Sequence, residues 1–125
     1  MIKVTPEQFE EIVWDAVDAL PAFVQSRLNN LEFEVRYQPT RDELGKHARH
    51  EGGDLFGLYH GIPLTERTTH YELVMPDLIT IYQRAHEQHC HSLLHLREQV
   101  AHTVRHEVAH HFGISDERLD ELGAY

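Results

Sequence analysis

The chain has 125 residues, 41% of them hydrophobic and 26% charged, which suits one globular domain with a core and leaves no room for a second. A formal charge of −10 repels phosphate backbones and anionic lipid, so general nucleic-acid or membrane-surface binding is disfavoured. Cys90 is the single cysteine, so no internal disulfide is available, and no apolar run approaches the roughly 20 residues that span a bilayer.

The first residues, Met1 to Glu7, lack the basic and apolar pattern of a signal peptide, so a cytoplasmic protein is expected. Thr5-Pro6-Glu7 reads as a helix start, with a capping hydroxyl, a first-turn proline and an early acid. Phe9, Ile12, Val13, Ala16, Val17 and Leu20 follow at helical spacing, which predicts an amphipathic helix over about 6–20, with Pro21 breaking it or starting a further turn. Residues 31–37 alternate apolar and polar, as a half-buried strand does. From Pro39 to Asp54 the polar, charged, glycine-containing composition suggests an exposed or poorly ordered loop.

Leu55 to Tyr59 predicts a second strand, Gly61-Ile62-Pro63 a turn and Thr68 to Val74 a third strand. Leu78 to Tyr82 is strongly β-prone and reads either as an ordinary core strand or as an edge that pairs with an extended peptide. A long helix is expected from about Cys90 to Phe112, ended by Gly113, and a short one over 117–122. The fold expected is α+β: a small, mixed, twisted sheet packed on two main helices, one at the N-terminus and one long, in a single domain over 1–125.

Twelve histidines raise the question of metal binding throughout the chain. The segment His106-Glu107-Val108-Ala109-His110 puts two imidazoles one helical turn apart on one face, where both reach one ion. Glu107 projects beside that ion and can take a proton from metal-activated water. In so histidine-rich a chain the five residues arise by chance in roughly one sequence in eight. Gly113 and Asp116, three and six residues after His110, lower that chance to the order of one in a thousand. Glycine allows the left-handed turn that brings the chain back, and Asp116 is then a suitable third zinc ligand. The alternative for Asp116 is the N-cap of the short helix after it.

On the long helix, Leu93, Val100, Ala101, Val104 and Val108 fall opposite His106 and His110, so one face is expected in the core and the other in an open cleft. His111 points toward the packed side and reads as structural or as a support for the ligands. His91, His95 and His102 extend the ligand face, either as cleft lining or toward a second metal.

The stretch His106 to Asp116 resembles the minimal zincin-like metallopeptidase family, compact bacterial relatives of the metzincins. The likeness extends to Ala19-Leu20-Pro21, Leu55 to Leu64, Pro76 to Tyr82 and Val100 to Asp116. The resemblance implies a zincin fold with one Zn²⁺ held by His106, His110 and Asp116, and Glu107 as catalytic acid/base on a peptide or protein substrate. Metzincins usually carry histidine where Asp116 stands. They also place a methionine turn after the motif, whereas the only methionines here are Met1 and Met75. Tyr59, His60, Tyr71 and Tyr82 are candidates for stabilising an oxyanion. The rival readings are a non-catalytic metal-stabilised scaffold that binds a partner segment, and a metal-dependent hydrolase of other amides.

Overall fold

The computed structural model describes residues 1–28, 31–47, 54–61, 77–115 and 117–118. The third strand expected at Thr68 to Val74, and most of the helix expected over 117–122, lie outside the described residues. The first helix, α1 (Pro6–Asp18), starts as its sequence specifies. Thr5 Oγ1 accepts from the amide of Gln8 at 3.1 Å, and Gln8 Oε1 accepts from the amide of Thr5 at 2.9 Å. This reciprocal box satisfies two end amides, with Pro6 beside them. Pro21 then begins a single turn, α2 (Ala22–Gln25).

Strand β1 (Leu31–Arg36) lies within the range expected. The segment after it departs from expectation, because 41–47 form helix α3 (Arg41–His47) instead of a loop. The missed signal is a second capping box. Thr40 Oγ1 accepts from Glu43 N at 3.1 Å, and Glu43 Oε1 accepts from Thr40 N at 2.9 Å. Polar composition hid a helix that begins with a strong start signal.

Strand β2 (Gly57–His60) begins two residues later than expected. Strand β3 (Asp77–Tyr82) pairs parallel with β1 and antiparallel with β2, giving the mixed order β1-β3-β2 among the described residues. The β-prone run is therefore central. Both of its edges are hydrogen-bonded, which overturns the reading of 78–82 as a free edge for peptide.

A short helix, α4 (Gln83–His89), follows β3 directly, and Cys90, His91 and Ser92 separate it from the long α5 (Leu93–His111). Ser92 Oγ accepts from His95 N at 3.0 Å, so this serine caps the helix that sequence patterning started at Cys90.

Two layers result. One sheet face presents Phe33, Val35, Ile79 and Ile81 to α1 and α5, whose Phe9, Ile12, Val13, Val17, Leu96, Val100, Val104 and Val108 complete the core. Leu93, expected in that stripe, is 47% exposed, and Leu96 is buried in its place. On the other sheet face Leu55, Leu58 and Tyr82 form a smaller cluster with Leu44 of α3. The N-terminal segment is tied to α4: Ile2 N donates to Glu87 O, and Val4 N and Gln83 Nε2 both donate to the buried Glu87 carboxylate.

His86 of α4 is fully buried, with Nδ1 2.7 Å from Tyr82 O and Nε2 2.8 Å from Thr103 Oγ1 of α5. It is a polar rivet between the two helices. Burial lowers its pKa from 6.5 to about 4, against the carbonyl of Tyr82, which favours the charged form. The folded state therefore binds fewer protons than the unfolded chain between those values. The stability His86 contributes is full above about pH 6.5 and falls as pH drops toward 4, by up to about 1.4 kcal/mol per pH unit. In urea titrations from pH 7 to 4, His86→Gln should show a shallower loss of stability than the wild type. Parallel curves would mean that His86 does not carry this proton linkage.

Candidate metal centre

The C-terminal half of α5 supplies the chemical side chains. His106 and His110 meet edge to face one turn apart, with ring centroids 4.6 Å apart and planes at 65°. Glu107 Oε1 lies 3.4 Å from His110 Nδ1. One donor atom from each of His106, Glu107 and His110 lies within 4.8 Å of the other two, and this is the only such cluster among the described residues. Two imidazole nitrogens this close together are a donor pair suited to Zn²⁺, with a carboxylate beside them. His91, His95 and His102 add no second cluster among the described residues. Burial, with His106 and Arg105 nearby, lowers the pKa of His102.

This centre is less open than a helix with one wet face would make it. His106 is 9% exposed and Glu107 only 3%. The buried arc of α5 extends past its apolar stripe to include Thr103, Glu107 and His111, because β2 and β3 cover that side. Gly57 makes the close approach possible. A Cβ there would stand 2.8 Å from Thr103 Cγ2, 3.1 Å from Glu107 Cγ and 3.3 Å from Thr80 O. Only a residue without a side chain lets the strand lie against the turn that carries the glutamate.

Below the cluster lies a buried polar group that sequence reading found only in part. The Asp77 carboxylate, at the first position of β3, accepts from Tyr59 Oη at 2.5 Å and faces His111 Nδ1 at 3.0 Å. Asp77 and His111 side chains are both fully buried. His111 does occupy the packed side, as its helical angle predicts, but its partner comes from 34 positions away. The one available signal was an aspartate opening a buried β-prone run, where an ionised group needs partners. Gly61 leaves room for this carboxylate, since a Cβ there would collide with it. Of the oxyanion candidates, Tyr59 is engaged with Asp77, while Tyr82 and His60 project from the opposite sheet face; Tyr71 lies outside the described residues.

After His110 the chain turns as the sequence demands. Gly113 has φ 84°, its amide donates to His110 O, and Ile114 N donates to Ala109 O, both at 2.9 Å. These two bonds are a Schellman end, which reverses the chain within three residues of the last histidine. Asp116 itself lies outside the described residues. In the turn that follows, Ser115 Oγ accepts from Arg118 N at 3.2 Å.

The chain is similar to known proteins in sequence and in fold. The model of the zincin-like metallopeptidase family matches residues 28–124. A solved structure of a conserved hypothetical protein from Thermus thermophilus superposes with a TM-score of 0.58 at 20% identity, covering 95% of this chain and 97% of the other, a likeness of fold. No curated protein matches.

Two sets of substitutions test how the centre is supported. Gly57→Ala should lower stability by about 1–3 kcal/mol through overpacking against the stiff Thr103. It should also weaken metal binding, and unchanged urea midpoint and metal affinity would refute the close contact. Tyr59→Phe removes one donor to Asp77 and should cost about 1–3 kcal/mol. Asp77→Ala strips the acceptor from two buried donors and should cost about 3–5 kcal/mol. Equal losses for the two would show that Tyr59 and His111 do not share this carboxylate.

Proposed function

We propose that this chain, which belongs to the zincin-like metallopeptidase family, is a zinc-dependent peptidase whose own residues hold one Zn²⁺ and carry the proton during hydrolysis. The observation that carries this reading is the grouping of His106, Glu107 and His110 within 4.8 Å on one turn of a rigid helix. In the proposed arrangement His106 and His110 give imidazole nitrogens and Asp116 gives a carboxylate, which leaves a position open for reaction. Zinc, when bound, supplies a Lewis acid that makes a water acidic near neutral pH and polarises the scissile carbonyl.

Glu107 accepts the proton of the attacking water and returns it to the departing amine. Its placement supports that role, because a carboxylate 3% exposed beside an imidazole acts in a drier setting than bulk water. The Asp77–His111 pair and the Gly57 contact hold the helix turn on either side of it. A site meant only to stabilise the fold has no use for a carboxylate next to an open coordination position.

The test is paired metal analysis and peptide-library hydrolysis. Wild type should retain about one Zn²⁺ per chain and cleave peptide bonds. Glu107→Gln should keep the metal and lose activity by at least about 10²-fold. His106→Ala and His110→Ala should lose the metal, and Asp116→Asn should weaken it. Identical products from wild type and Glu107→Gln would overturn the mechanism. Metal retention without cleavage in the wild type would favour a partner-binding scaffold instead.

A further inference from the structure

The outer flank of α5 carries a groove of about 580 Å³, separate in direction from the histidine face. Phe23 and Val24 of α2 form one wall, and Val108, Ala109 and Phe112 of α5 form the other. The helix-ending bond from Ile114 N to Ala109 O folds the chain back so that Ile114 also borders it. Phe23 is 65% exposed, a large apolar surface left facing water. The volume falls inside the roughly 300–1,000 Å³ typical of small-molecule sites.

Two features indicate what such a groove would take. Among the described residues lining it, every uncharged side chain is apolar, and the charged ones are both arginines, Arg27 and Arg105. Neither guanidinium makes a hydrogen bond or ion pair with another described residue. In a chain with 21 acidic and 11 basic residues, two unengaged guanidiniums beside one apolar groove run against the overall charge. The planar guanidinium matches a carboxylate, and its aliphatic stem lies comfortably on apolar surface.

We propose that this groove binds an aliphatic carboxylate, with the chain along the apolar walls and the anionic end at Arg27 and Arg105. A peptide segment fits less well, because its buried main-chain N–H groups need acceptors and none of the lining side chains, the two arginines included, offers one. The proposal is independent of the peptidase reading, since it uses neither His106, Glu107 nor His110.

The probe is decanoate, titrated calorimetrically below its micelle concentration into the full chain, with methyl NMR shifts followed at Val24, Val108 and Ala109. Decanamide tests the charge, and the peptide acetyl-Leu-Phe-Glu-amide tests a protein-like ligand. Saturable one-to-one binding with shifts at those methyls is expected. Binding should weaken at least tenfold in Arg27→Gln/Arg105→Gln while decanamide binding stays unchanged, and Ala109→Trp should block the groove. Both arginines are exposed, so the double variant keeps its core. Equal decanoate affinity in wild type and double variant, shifts confined to His106 and His110, tighter binding of the peptide, or no saturable binding would each overturn the proposal.

Discussion

The seating of α5 against the sheet is the constraint on which the rest of this structure depends. One helix has to supply both the centre of the core and the chemical side chains, so its distance from β2 cannot vary. Gly57 sets that distance, because a side chain there would push on Thr103 and Glu107 together. Leu96, Val100, Val104 and Val108 fix the same helix from within the core against α1 and the sheet. Close packing of this kind transmits displacement instead of absorbing it. A substitution on β2 is therefore felt at the glutamate.

Pressing a helix of this composition onto a sheet buries polar groups that an amphipathic pattern would leave wet. Two of them meet partners from other elements. Thr103 meets His86 of α4, and His111 meets Asp77 of β3, which also takes the hydroxyl of Tyr59. Glu87, on the far side of α4, collects the N-terminal segment in the same way. Buried polar networks are costly when incomplete and specify a unique arrangement when satisfied. Here they tie α4, α5, β2 and β3 around the turn that carries His106, Glu107 and His110. The methionine turn of larger metzincins has no counterpart in this sequence after the motif, and the Tyr59–Asp77–His111 group lies directly under the last turn of α5.

Sheet order has its own consequence for recognition. Because β3 is bonded on both sides, it presents no open edge to an incoming peptide. The accessible chemistry of α5 is instead divided between two flanks of its C-terminal half. One carries the clustered donors, and the other carries the apolar groove with its two arginines. Arg105 and Ala109, which border the groove, immediately precede His106 and His110 in the chain.

By itself the sequence determined whatever depends on local physics. Thr5, Pro6 and Gln8 start α1, the alternation of 31–36 makes β1, and Gly113 ends α5 with the turn its missing side chain permits. The pair His106 and His110 was legible for the same reason, since i and i+4 share a helix face in any fold. The Thr40–Glu43 box was equally local and was obscured only by the polar residues around it. Tertiary structure alone decided that β3 is central, that Leu96 and not Leu93 enters the core, and that His106 and Glu107 are buried. It also paired Asp77 with His111 and placed Gly57 against Glu107. Those outcomes depend on which distant surfaces meet, and a periodic pattern in one segment carries no record of its neighbour.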